Sequence, residues 1–424
     1  MSKCQKETIN FKEKVFEQRL MYLNSKEFSE NMRFEITLKE EIDERILQES
    51  TDITILRYPY FKVLLKNIDG DYYFLTNENR LIVKPLRNKA DLGSKENNLY
   101  HIAIDYEKKT IGIDFSHFMT DGNGAYNFIR TLLYYYVSKA YGVELSHEGI
   151  RLYGDEIPVE EMDSFPENLA LPTPKKSNRT PALTIDVPSY DPYYSHFEIP
   201  ENDFILKVRE MGATPNVFMC VAAQSMIRKL VEDNGNPIKV VVCVNERGAL
   251  NLEYAHQSLV GGAAIEFNKE LESLSFSERC KAIRPMFKEL VSKENILLSV
   301  ASLKELLGTI FIKKTDEERI EFSNMVRNYS NSLISSTISY VGKANFGDAE
   351  KYIDDFATIA APASALLFQI AAVNGKIYVD LIQKSKDEAY IKEFENILKE
   401  LNIPFINKGS KRFNVPHVEL PWTK

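Results

Sequence analysis

Seven prolines fall within residues 157–194: Pro158, Pro166, Pro172, Pro174, Pro181, Pro188 and Pro192. Proline locks φ at about −65° and offers no backbone N–H, so such a stretch cannot run as a helix or a central strand. It reads as an extended connector, with Lys175, Lys176 and Arg179 as solvated linker residues. The chain accordingly divides into an N-terminal lobe over 1–160, a crossover linker over 161–193 and a C-terminal lobe over 194–424.

Both lobes alternate strand and helix signals. Residues 33–38 alternate like a strand, and 39–56 have helical spacing that breaks at Tyr58-Pro59. Residues 60–66 and 71–76 flank a turn at 67–70, and 100–106 and 110–115 flank another at 107–109. A helix is expected over 125–141. In the second lobe, 194–199 reads as a strand and 201–211 as a helix. Thr214-Pro215 then opens a helix over 216–231, with Thr as cap and Pro at the first helical position. That helix is apolar on most sides and should be buried. The β-branched run 238–244 reads as a central strand. Helices fill much of 276–331, a strand follows at 334–341, and Asn374-Gly375 joins strands 365–373 and 376–382. A last helix covers 386–401. The sum is α+β, with mixed sheets carrying helices in each lobe.

Several classes drop out. Lys and Arg total 53 against 61 Asp and Glu, a net charge of −8, which argues against a broad nucleic-acid-binding surface. No apolar run is long enough to span a bilayer, and the first twenty residues lack the apolar core of a signal peptide. A soluble, cytoplasmic protein is expected. Cys4, Cys220, Cys243 and Cys280 lie far apart with no Cys/His cluster, so no metal site is expected, and Cys220 and Cys243 read as small core residues. Neither a dinucleotide fingerprint nor a P-loop occurs.

Residues 111–124, IGIDFSHFMTDGNG, carry the chemistry. A strand ends at Ser116-His117, and Asp121-Gly122 follow before a helix. A histidine at a strand-to-loop junction is held by the sheet yet can face a cleft. Imidazole, with an ordinary pKa of about 6.5, suits a general base near neutral pH. With six histidines in the chain, chance would supply roughly 0.02 matches to His-x-x-x-Asp-Gly. Gly122 and Gly124 read as permitting a tight turn. Asp121 reads either as a partner of His117 within the turn or as a cap of the next helix. His101, His147, His196, His256 and His417 lack local partners and read as surface or core residues.

The segment resembles the HxxxDG signature of the acyltransferase superfamily that includes chloramphenicol acetyltransferase, nonribosomal-peptide condensation domains, plant BAHD enzymes and alcohol acetyltransferases. Four further stretches match in order. Residues 55–64 (ILRYPYFKVL) look like the "RHPxLR" region, and 213–219 (ATPNVFM) like the buried helix opening the second lobe. Residues 242–248 (VCVNERG) look like "NxR", and 339–345 (SYVGKAN) like "SNxG". The likeness runs from about residue 10 to about 405 and is nearest the alcohol acetyltransferases. Two departures stand out: Ser116 replaces the first of two histidines, and residues 345–348 (NFGD) lack the Trp of the BAHD "DFGWG".

The resemblance implies a two-lobed chloramphenicol acetyltransferase-like fold with a tunnel between the lobes. It implies acyl transfer from a thioester, acyl-CoA as co-substrate, to the hydroxyl or amine of a small acceptor. His117 would be the base, with no permanent cofactor and no covalent acyl-enzyme. Asp121 would pair with Arg247 across the lobes rather than with His117. Ser116, Ser339 and Tyr340 are candidates for oxyanion donation or tunnel lining, with Ser336 and Thr337 beside them. A carrier-protein thioester as donor, or a silent binding member of the fold, are the alternatives.

Overall fold

The computed structural model describes residues 18–424 apart from Glu27, Asp69, residues 162–169 and 175–178, Pro188, Ala363, Asn414 and Lys424. Pro166, Pro188, Lys175, Lys176 and Cys4 therefore lie outside the described residues.

After a short α1 (Gln18–Met21), β1 (Asn31–Leu38) buries Phe34, Ile36 and Leu38 on one face. α2 (Glu44–Arg57) starts later than its periodicity predicts, because Asp43 caps it by accepting from Ile46 N. β2 (Val63–Ile68) and β3 (Asp71–Thr76) form a hairpin of their own. After β4 (Lys84–Pro85), β5 (Ile102–Glu107) and β6 (Thr110–Ser116) form the hairpin that ends beside His117, and α3 (Gly122–Ala140) follows. β7 (Tyr193–Pro200), α4 (Glu201–Glu210) and α5 (Pro215–Leu230) open the second half, α5 capped by Thr214.

β8 (Ile238–Asn245) leads through α6 (Arg247–Leu250) to β9 (Val260–Phe267). Helices α7 (Lys269–Glu272), α8 (Phe276–Leu290), α9 (Lys293–Phe311) and α10 (Asp316–Asn331) come next. β10 (Ser336–Lys343) and β11 (Ile353–Ala360) precede the hairpin of β12 (Leu366–Val373) and β13 (Lys376–Gln383). Asn374 and Gly375 both take positive φ there, 50° and 73°, the backbone twist a two-residue hairpin needs. α11 (Glu388–Glu400) and β14 (Ile406–Arg412) complete the chain.

The first sheet has the order β11-β1-β6-β5-β4 and the second β14-β7-β13-β12-β10-β8-β9. Each has a core of its own. In the second sheet β10 runs parallel to both β8 and β12, while its other pairs are antiparallel. β11 belongs to the second half of the chain yet pairs with β1, Phe34 opposite Thr358. β9, β11 and β14 are strands that local pattern does not announce. β9 is rich in Gly and Ala, β11 opens on two aspartates, and β14 is a charged edge strand. Their hydrogen bonds to neighbours make them strands, not propensity.

One face of the first sheet is pinned by charge. Arg33 on β1 donates to Asp105 on β5 at 2.7 Å and to Asp114 on β6 at 2.6 Å, all three buried. Gly112 makes room: a Cβ there would stand 2.1 Å from Arg33 Nη2. Among the described residues, no helix is long and apolar enough to cross a membrane.

Candidate active site

Register positions His117. Asn31 on β1 lies opposite Ser116 at the end of β6. One residue further, His117 N donates to Glu30 O at 2.9 Å. Ser116 is fully buried, and its hydroxyl lies 3.1 Å from His101 Nδ1. Burial pushes His101 down to about 3, so that imidazole stays neutral. Ser116 lines neither cavity described below, because strand alternation turns it away from the cleft.

The His117 ring borders two cavities. One, of about 530 Å³, lies under α9 and α10. The other, of about 200 Å³, is bounded by β8, β10 and β11. Glu30, His117 and Val260 border both, so His117 stands where the two cavities adjoin. Its Nδ1 is buried with no hydrogen-bond partner among the described residues.

Asp121 serves two neighbours at once. As cap of α3, its Oδ1 accepts from Gly124 N at 2.9 Å. Its Oδ2 accepts from Arg247 Nη1 at 2.9 Å and from Leu259 N at 2.8 Å. Asp121 and Arg247 are 4% and 3% exposed, so this ion pair is desolvated. Arg247 spends its other donors on the carbonyls of Ala255 and Gln257, at 2.9 and 2.6 Å. The guanidinium therefore ties the loop 255–259 to the start of α3. Neither Asp121 oxygen is hydrogen-bonded to His117.

Both glycines of the motif lie in α3 rather than in a turn. Gly124 is needed for close approach: a Cβ there would stand 2.1 Å from His256 O and 2.3 Å from Thr120 Oγ1. Gly122 borders the smaller cavity, and its Cβ would stand 3.0 Å from Val341. Thr120 Oγ1 donates to His256 O at 2.6 Å. His256 in turn sets Nε2 3.1 Å from Glu161 Oε2, and Arg57 donates to the same carboxylate at 2.8 and 3.1 Å. The loop after His117 is thus braced from both halves of the chain.

Thr337, Ser339 and Tyr340 on β10 border the smaller cavity, whereas Ser336 is turned inward and donates to Leu366 O at 3.0 Å. Cys243 also borders it rather than filling the core. Burial pushes its thiol up to about 11, so it remains protonated. Arg179 lines a separate cavity against β9 and α9.

No family model matches this chain, and no curated protein does. Solved structures do. The condensation domain from Monacolin K polyketide synthase MokA aligns with a TM-score of 0.57 at 11% identity, covering 91% of this chain and 94% of that one. The TRI3 trichothecene 15-O-acetyltransferase from Fusarium sporotrichioides aligns with 0.59 at 9% identity, covering 91% and 94%. F. sporotrichioides TRI101 complexed with coenzyme A and T-2 aligns with 0.55 at 11% identity, covering 93% and 98%. The chain has the two-lobed chloramphenicol acetyltransferase-like fold.

Within that fold the junction of the two sheets holds residues that sequence spacing does not single out. Glu30, Val260 and His256 reach the His117 loop from separate parts of the chain, and Glu161 supports it through His256. Only the pairing of β1 with β6, and of β8 with β9, brings Glu30 and Val260 to it.

Proposed function

We propose that this protein transfers an acyl group from a thioester, acyl-CoA as donor, to the hydroxyl or amine of a small acceptor. The carrying observation is that His117 borders two adjoining cavities. A donor in one and an acceptor in the other would meet at its ring. Neutral His117 takes the acceptor proton as the acceptor oxygen or nitrogen bonds to the thioester carbon. The tetrahedral oxyanion then collapses, the carbon–sulfur bond breaks, and the thiolate takes the proton from His117. A thioester needs no covalent acyl-enzyme, and the protonated Cys243 is no nucleophile. Asp121 and Arg247 act as positioning residues. Ser339 and Tyr340, on the wall of the smaller cavity, are the hydroxyls available to the oxyanion.

Likeness to a condensation domain supports a second donor, a thioester on a separate carrier protein. The test is thiol release from acetyl-CoA and longer acyl-CoAs against a panel of alcohols and amines, wild type beside His117→Ala. Acceptor-dependent release that the substitution abolishes is the expected result. No release with any CoA donor, followed by turnover of a carrier-bound thioester, would transfer the reading to the second donor. No turnover with either would leave a binding member of the fold.

A further inference from the structure

The larger cavity differs from the smaller in kind. Its wall includes Leu23, Phe28, Leu306, Ile310, Val326 and Ile334. Into this apolar surface are set two cations, Arg327 and Lys384, against the single carboxylate of Glu30. Arg327 on α10 is half-buried. It donates to Leu23 O at 3.2 Å and Asn324 Oδ1 at 2.9 Å, and its guanidinium lies 5.2 Å from the centre of the Phe28 ring. Among the described residues, no carboxylate forms an ion pair with it. Burial lowers the Lys384 ammonium, and the neighbouring Arg327 lowers it further, against the pull of Glu30. Arg327 thus presents a guanidinium with no carboxylate partner among the described residues to a cavity with a largely aliphatic wall.

We propose that the larger cavity selects a substrate with an apolar body and an anionic group, a carboxylate or a phosphate, paired with Arg327. Its size, about 530 Å³, falls in the range of roughly 300–1,000 Å³ that takes a drug-sized ligand. A guanidinium pairs in two-pronged fashion with either anion. The phosphates of coenzyme A are the other source of negative charge. Ser323, Asn328, Ser330 and Asn331 also line this cavity and could pair the amides of a pantetheine arm, so competition with coenzyme A is part of the test. That the ligand is the acyl acceptor rests on the acyl-transfer reading of His117; the preference for an amphipathic anion does not.

The experiment is calorimetric binding of decanoate, decyl phosphate and decanol to the full chain, with coenzyme A as competitor. At least one anionic probe should bind ten-fold or more tighter than decanol. Arg327→Gln should erase that preference and Arg327→Lys should keep part of it, with both variants' thermal unfolding recorded to verify folding. Equal binding of all three probes, or a preference unchanged in Arg327→Gln, would overturn the proposal. So would a site where coenzyme A displaces the probes, Arg327→Gln weakens coenzyme A, and decanol matches decanoate, since Arg327 would then serve the donor's phosphates. Because binding is read without turnover, an intact anion preference in a protein that transfers no acyl group would sink the catalytic reading alone.

Discussion

Asp121 divides its two oxygens between the helix it caps and the guanidinium it pairs with, and mutation can separate the two tasks. Asp121→Asn retains an acceptor for Gly124 N but leaves Arg247 buried without its counter-charge. Asp121→Ala removes both. Losing one partner of a buried pair costs about 3–5 kcal/mol, and losing a cap about 1 kcal/mol more. Urea denaturation should therefore rank wild type above Asn above Ala; equal midpoints for Asn and wild type would mean that the charge contributes nothing. His117 gives the opposite pattern. His117→Ala should lower kcat by about 10²–10⁴, yet leave thermal stability unchanged or raised, because it removes a buried Nδ1 that has no partner among the described residues.

At the scale of elements, α3 depends on how closely its first turn approaches a neighbouring backbone. Gly124 faces a carbonyl, His256 O, which can retreat only if the loop 255–259 moves with it. Gly122 faces the Val341 side chain, which can yield by a few tenths of an ångström. Gly124→Ala should thus cost about 1–3 kcal/mol as overpacking, more than Gly122→Ala. Differential scanning calorimetry of the two variants checks the order. Gly124→Ala should also slow acyl transfer, since the displaced loop carries the partners of Asp121.

For the whole molecule, the join between the sheets is held by a charged histidine. His196 on β7 sets Nδ1 2.7 Å from Asp380 on β13 and Nε2 3.0 Å from Asp355 on β11, which belongs to the other sheet. Lys408 also pairs with Asp355 at 2.7 Å, and the Tyr378 ring stacks on the imidazole at 5.6 Å. Burial opposes a charged ring, but the two carboxylates outweigh it and raise His196 from 6.5 to about 9. Burial raises Asp380 too, though a ring with both nitrogens facing carboxylates is best satisfied as imidazolium, and we take the pair as ionised. A raised folded pKa means stability fully present below about pH 6.5 and lost as pH rises through about 9. The urea midpoint of wild type should fall between pH 7 and 9.5, and that fall should be smaller in His196→Gln. A parallel fall in both would show that the alkaline loss arises elsewhere.

Local pattern alone determined most helices, the hairpins at 107–109 and at Asn374-Gly375, and the strand-end position of His117. These are short-range matters: periodicity, caps and turn residues act within a few positions. It also singled out Asp121 as a cap, whereas its pairing with Arg247, 126 residues away, was implied only by the family resemblance; the two carboxylate oxygens take one role each. Tertiary structure alone decided the rest. β11 joins the first sheet by pairing with β1, and Glu30 meets His117 through strand register. The Gly124 requirement arises from a backbone 132 positions further on, at His256. Arg327 becomes notable only because α10 turns it into a cavity that also holds His117. Each of these depends on which distant surfaces the two cores bring together, and side-chain spacing along the chain carries no record of that.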